Sequence, residues 1–152
     1  MMDNIQKSAA EQINRKTWWH SRPIDPDAYG KRGIFLAWSY NDCLFYGRPL
    51  DSPFRVNVNN PMIGTEEDVI INLFGFNSKI HLLKLNIENK PIECRFDLDA
   101  KMYRAARKKG FDAIAIISEI GYKRYKATGK IPRAMELNIL DDDFEKNCKA
   151  IE

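Results

Sequence analysis

TWWHSRPIDPDAYGKRGIFLAWSYNDCLFYG, residues 17–47, holds one of the two histidines of the chain, all three tryptophans and three of the six tyrosines. They surround two short apolar runs. A core uses aromatic rings for bulk, whereas a binding site uses them as flat walls with a polar edge. Residues 16–20, rich in Thr and Trp, read as one strand, and GIFLAW, residues 33–38, as another. Between them, residues 21–32 carry two prolines, two aspartates and a glycine and read as loop. Ser39 offers a side-chain oxygen as N-cap for a helix holding Cys43, Leu44 and Tyr46. Two strands and this helix suggest a cleft for a flat, partly polar ligand such as a nicotinamide or a nucleobase.

On the N-terminal side, residues 3–15 read as a short helix, with Ile5, Ala9, Gln12 and Ile13 near one face and Asp3 as cap. On the C-terminal side, residues 48–64 hold three prolines and read as irregular, apart from a short strand in FRVNV, 54–58. Thr65, followed by Glu66, Glu67 and Asp68, starts a helix that runs to about Phe74, since acidic side chains favour the positive end of the helix dipole. KIHLLKLNI, 79–87, reads as a strand. Asp99 reads as the cap of a helix over AKMYRAARKKG, 100–110, with basic residues and Gly110 at its end. FDAIAII, 111–117, is a further strand, 118–133 a long loop, and AMELNIL, 134–140, the last strand. The acidic DDDFEK leads into a short tail helix. Strands and helices intermix without a regular βαβ rhythm, so the expected class is α+β, in one domain over 1–152 with an N-terminal helix in 1–16 and a tail in 141–152.

A chain of 152 residues, 44% hydrophobic and 30% charged, can build a core without staples. The net charge of +3 is too small to mark a dedicated nucleic-acid binder. Cys43, Cys94 and Cys148 are far apart, with no C-x-x-C pair and no histidine at metal-ligand spacing. Neither a disulfide framework nor a metal site is expected, and a reducing cytoplasm fits. The polar N-terminus lacks the apolar run of a signal peptide, and no window approaches 18 apolar residues, so no membrane association is expected. No G-x-G-x-x-G follows a strand, and ATGK at 127–130 is only half a P-loop, because Arg124 stands where its first glycine belongs.

The order of segments resembles the ADP-ribosyltransferase fold, in particular its diphtheria-toxin and poly(ADP-ribose)-polymerase branch. The residues that carry the resemblance are WHSR (19–22), GIFLA (33–37), Tyr46 and MEL (135–137), with GFDAIAI (110–116) similar to a strand of phage and bacterial members. It spans about residues 17–140, the middle by segment order only. The resemblance implies NAD as substrate. It implies that His20 hydrogen-bonds a ribose hydroxyl, that the Ser21 backbone holds the nicotinamide amide, that Tyr46 stacks on the ring and that Glu136 is the catalytic carboxylate. Phe35 stands where the branch carries a stacking Tyr, Cys43 where some members place an amide-binding Ser, and Ser21 where Gly is usual. Arginine-modifying relatives carry a glutamate two residues before the catalytic one; here Ala134 stands there, so transfer to arginine is not expected.

Residue chemistry alone leaves other readings open. His20 also fits a hydrogen-bonded core histidine, Phe35 and Tyr46 ordinary packing, and Glu136 an outward residue on a half-buried strand. His81 has no assigned role. Tyr122, Lys123, Arg124, Lys126, Lys130 and Arg133 form a basic stretch, with Tyr125 interleaved, in EIGYKRYKATGKIPRAM. Such a stretch can grip phosphates, engage an acidic protein patch or simply stay solvated. By resemblance it is where a transferase of this fold chooses its acceptor. The expectation is a mono-ADP-ribosyltransferase of phage or bacterial effector type, similar in outline to small anti-CRISPR transferases and to toxins of toxin–antitoxin pairs. Its acceptor would be macromolecular, a host protein before a nucleic acid. The alternatives are a transferase-like protein that inhibits a partner by contact alone, and a nucleic-acid-binding module using residues 122–133.

Overall fold

A computed structural model describes residues 4–151. The Asp3 cap and the side chain of Ile5 lie outside the described part. Helix α1 covers Asn4–Arg15 and buries Ala9, Ala10 and Ile13. A short helix α2, Ala28–Arg32, leads into strand β1, Ile34–Ala37. Helix α3, Tyr40–Cys43, continues as a 3-10 turn over Leu44–Tyr46. Next come β2, Phe54–Val56, β3, Pro61–Gly64, and α4, Glu66–Phe74. Helix α5, Lys79–Leu85, and a 3-10 turn at Ile87–Asn89 precede the long α6, Ile92–Lys108. The chain ends with β4, Ala113–Ile116, α7, Glu119–Thr128, β5, Glu136–Ile139, α8, Phe144–Asn147, and β6, Cys148–Ala150.

The architecture is α+β. The main sheet has the order β1-β5-β4-β3, with β5 antiparallel to both neighbours and β3 parallel to β4. β2 and β6 form a separate antiparallel pair. The Trp18–Trp19 dipeptide joins the two sheets: Trp18 bridges Phe54 of β2, and Trp19 bridges Ala37 of β1.

Register decides which residues share a side, because residues directly opposite point the same way. On one side stand Leu36, Leu137 and Ala115, with Ile34, Ile139 and Ala113 in the next row but one. They pack with Ile13, Trp18, Tyr125 and Phe144 into a closed apolar core. On the other side stand Phe35, Asn138, Ile114 and Met62 in one row, and Ala37, Glu136, Ile116 and Gly64 in another. Here Met62 and Ile114 pack against Ile70 of α4 and Leu98, Met102 and Tyr103 of α6.

Four expectations are corrected. KIHLLKL is helix α5, because the Ser78 side chain accepts the His81 N–H at 3.1 Å and starts a turn. α6 begins at Ile92, so Asp99 lies inside the helix and pairs with Arg95 one turn earlier instead of capping. Residues 118–133 are not one loop: the Ser118 side chain accepts the Gly121 N–H and opens α7. α2 occupies the end of the stretch read as loop.

Candidate functional site

Glu136 is the first residue of β5 and lies between Ala37 of β1 and Ile116 of β4. It lines a cleft together with Phe35, Ile114, Ile116, Met102, Asn138, Glu66, Arg95 and Asp99. Apolar neighbours replace water around its carboxyl, and burial pushes it up to about 7. Among the described residues it accepts no hydrogen bond and forms no ion pair. A half-buried carboxyl without a partner and with a raised pKa is a candidate acid–base group.

The cleft is narrow. Its volume is about 20 Å³, room for a single water. Its rim is charged. Arg95 of α6 donates to both carboxylate oxygens of Glu66 in the first turn of α4, one contact measuring 2.8 Å. It also lies 3.2 Å from Asp99. Burial opposes the Arg95 charge, but the two carboxylates outweigh it and hold the guanidinium above its ordinary value. Burial raises Asp99 to about 6, against the pull of Arg95. In the sequence Glu66 reads only as part of a helix start and Asp99 only as a cap, and Arg95 carries no reading at all. The i,i+4 spacing of Arg95 and Asp99 was their only local signal, and it was masked by reading Asp99 as a cap.

Tyr46 stacks on Phe35 at 5.9 Å between ring centroids, and Phe45 meets Tyr46 edge-on at 5.3 Å. Phe35, Tyr46 and Glu136 therefore lie on one side of the sheet. Ser21 and Cys43 act on this arrangement from behind. The Ser21 hydroxyl donates to the Gly47 carbonyl at 2.9 Å and lies 3.3 Å from the Cys43 sulfur. These contacts pin both ends of the turn that carries Tyr46. Burial pushes the Cys43 thiol up, so it is a packed thiol and not a nucleophile.

His20 is not in the cleft. Its ring stacks on Phe144 at 4.7 Å, in the core on the opposite side of the sheet. Nδ1 donates to the Phe35 carbonyl at 2.8 Å, and Nε2 accepts from the Tyr29 hydroxyl at 2.6 Å. Both ring nitrogens are thus occupied. Burial lowers its pKa, with Arg22 adding to that and the Phe35 carbonyl opposing it, so the ring is neutral. The aromatic residue of WWH that shares the Glu136 side is Trp19, opposite Ala37 in the same row and edge-on to Tyr40 at 5.2 Å.

Asn138 also faces the α4–α6 side, but its amide is spent locally. Nδ2 donates to the Arg32 carbonyl at 2.9 Å, while Oδ1 is buried without a partner. Gly33 makes this possible: at φ 90° it has no Cβ, and one placed there would lie 2.2 Å from Oδ1.

On α7, Tyr122 and Tyr125 pack into the core and stack on each other at 6.5 Å. They are not free to stack a base. Lys123, Arg124 and Lys126 are exposed on the outer face, with Lys123 paired to Glu119 at 3.8 Å and Lys126 over the Tyr122 ring at 4.5 Å. The loop after α7 is tied to α1, where the Gln12 side chain donates to the Gly129 carbonyl and accepts the Ile131 N–H. Lys130 is exposed, and Arg133 reaches over the Trp38 ring at 5.6 Å.

Among the described residues no group of three His, Cys, Asp or Glu side chains is placed to hold a metal ion. No helix is long and apolar enough to cross a membrane. Comparison with protein-family models, with curated proteins and with solved structures returns no match.

Proposed function

We propose that the protein is an ADP-ribosyltransferase that uses NAD and acts through Glu136. The observation that carries this reading is the meeting, on one side of the sheet, of an unpartnered carboxyl with an aromatic pair, Phe35 and Tyr46. These are the residues that the resemblance assigns to catalysis and to nicotinamide stacking. Cleavage of the nicotinamide–ribose bond passes through an oxocarbenium-like state. The bond electrons leave with nicotinamide, the acceptor nucleophile bonds to the ribose carbon, and its proton passes to the carboxylate or to solvent. A carboxylate beside the sugar stabilises the positive charge as it develops. Stacking on Tyr46 fixes the ring and supplies orientation. Glu136 must be ionised to act, so activity rises with pH through about 7. His20 serves this reading as a buried post that fixes β1 through the Phe35 carbonyl, not as a ligand contact.

The test is nicotinamide release from NAD by wild type and by Glu136→Ala, with and without a bacterial lysate. Release that Glu136→Ala loses by about a hundredfold or more is expected, as for removal of one transition-state contact. A rise with lysate identifies a macromolecular acceptor. Equal release from both proteins, or none from either, overturns the proposal. A second reading, contact with an anionic partner and no chemistry, is favoured by the exposed cations Arg124, Lys126 and Lys130. Its mark is binding that needs no NAD and weakens steeply with salt.

A further inference from the structure

Several surface cations have an acid beside them: Lys31 pairs with Asp25, Lys101 with Asp97, Lys123 with Glu119 and Lys146 with Asp141. Lys16, Arg55, Arg133 and Lys149 form no ion pair among the described residues, and they are neighbours. The net charge of +3 hides this local excess.

Register builds the face. Arg55 of β2 is directly opposite Lys149 of β6, and both are exposed. Opposite residues point the same way, so two like charges sit side by side, an arrangement that costs stability. The Trp18–Phe54 bridge, carried on by one residue, sets the exposed Thr17 beside Arg55 on the same outer side. The inner side carries Trp18, Phe54, Val56 and Cys148, all buried. The Arg55 guanidinium donates to the Arg15 carbonyl at 3.2 Å, in the peptide that leads into Lys16. Burial holds the Lys16 ammonium below its ordinary value, and the charge of Arg133 adds to that. Arg133 itself lies over the Trp38 ring at 5.6 Å. The flanking acids are engaged elsewhere. Glu11 is 4.0 Å from Arg15, Asp42 takes the Trp38 indole N–H, and Lys149 reaches the backbone carbonyl of Glu145, not its carboxylate. Cations gathered without counterions break a rule that the fold keeps elsewhere, and an anion laid across them relieves the repulsion.

We propose that the outer side of the β2–β6 strip, together with the end of α1, is a docking face for the phosphate backbone of a nucleic acid, gripped by Lys149, Arg55, Lys16 and Arg133 with the Thr17 hydroxyl among them. Two features select this partner over an acidic protein. Neighbouring strands lie about 4.8 Å apart, so Lys149, Arg55 and Thr17 make a straight row about 10 Å long, which suits a linear ladder of charges. A protein interface is built around buried aromatic or apolar anchors, whereas phosphate contacts need only cations and hydroxyls. Among the described residues no exposed large hydrophobic side chain belongs to α1, β2 or β6. The face uses none of the α7 cations and does not involve Glu136, so it stands whether or not the protein cleaves NAD.

The probe is a fluorescein-labelled DNA duplex of about 20 base pairs, read by anisotropy between about 50 and 200 mM salt. Wild type is expected to bind two unrelated sequences alike, with an affinity that falls steeply as salt rises. Arg55→Gln combined with Lys149→Gln removes two phosphate contacts, and the slope of log affinity on log salt should become shallower by about two. Lys16→Gln should make it shallower by about one. The Lys16 ammonium makes no hydrogen bond among the described residues, so this variant decides the matter if loss of the Arg55–Arg15 contact unsettles the double variant. Arg124→Gln with Lys126→Gln, on α7, should leave the slope unchanged. No binding at the lowest salt, or a slope unchanged in both face variants, overturns the proposal. So does a change confined to the α7 variant. A polyglutamate competitor that binds as tightly as the DNA at equal charge overturns it too, and assigns the face to an acidic protein.

Discussion

The two sides of the main sheet are built to different standards. On the side of Leu36 and Leu137 the facing residues are apolar and, apart from Ile63 on the edge strand, buried, and Trp18, Ile13 and Phe144 close over it. Even its polar member, His20, has a partner at each nitrogen. The side of Phe35 and Glu136 begins the same way, with Met62 and Ile114 under Ile70, Leu98 and Met102. It then gives out toward the row of Ala37, Glu136, Ile116 and Gly64, where a lone carboxyl faces a narrow cleft and ion pairs stand in for packing. One side carries stability, and the other is left incomplete at the place where the proposed function puts its ligand. Functional sites are the places where a fold departs from its own packing rules.

The largest effect should come from the complete side. Leu36 is fully buried. Leu36→Ala leaves a cavity in a dense core and should cost about 3 kcal/mol, read as a lower midpoint in denaturant at unchanged slope. A loss under about 1 kcal/mol would mean that this face yields as readily as the other.

A smaller effect, of opposite sign, is expected at Glu136. Its carboxyl is raised from 4.5 to about 7, so between those values the native state holds a proton that the unfolded chain has released. Stability then falls as pH rises through that window. The cost is fully present above about pH 7 and absent below 4.5. Glu136→Gln removes the charge and should stabilise the protein by about 2 kcal/mol at pH 8, after a discount for the edge that Glu136 shows to solvent, and by almost nothing at pH 4.5. Thermal melts of both proteins at the two pH values measure it. Equal melting at pH 8 would show a well-solvated carboxylate and erase the contrast between the two sides.

Three of the four strands of the main sheet were legible, though not their order in it. GIFLA, FDAIAII and AMELNIL are short apolar runs bounded by breakers, and each contains a strand. β3 was hidden behind Pro61, which reads as a breaker but here begins the edge strand of the sheet. KIHLLKL misled because a short, mostly apolar run fits a short helix as well as a strand, and local capping by Ser78 decided the matter. The stretch after Ser118 misled because aromatic residues among lysines suggested a recognition loop. Spaced i,i+3 on α7, Tyr122 and Tyr125 instead turn inward together, and Gly129 in the left-handed region ends the helix. At the site, Glu136, Phe35 and Tyr46 were named through the resemblance alone, and their shared side of the sheet follows from the register of β1 on β5 and the stacking of Tyr46 on Phe35, which no local pattern reveals. The side on which His20 falls depends on a one-residue register between 17–20 and β1, and sequence does not fix that. Glu66 and Arg95 are 29 residues apart and meet only through the packing of α4 on α6.

The smallest expected effect on stability is the most telling one for the site. Tyr46 is half-buried, rests on Phe35 and is held by a turn that Ser21 and Cys43 pin from below. If the turn exists to present that ring, removing it should disturb the fold little, because the pins are independent of the ring. Tyr46→Ala should therefore cost less than about 1 kcal/mol in unfolding, within the range of one aromatic pair at a solvent edge. The same variant should raise the KM for NAD by about tenfold, the scale of one stacking contact, while Phe45→Ala at the neighbouring exposed ring changes it far less. Equilibrium unfolding and steady-state nicotinamide release, measured on the same preparations, give both numbers. A stability loss as large as that of Leu36→Ala would make Tyr46 part of the core, and the open side of the sheet would then be a second packed face without a ligand.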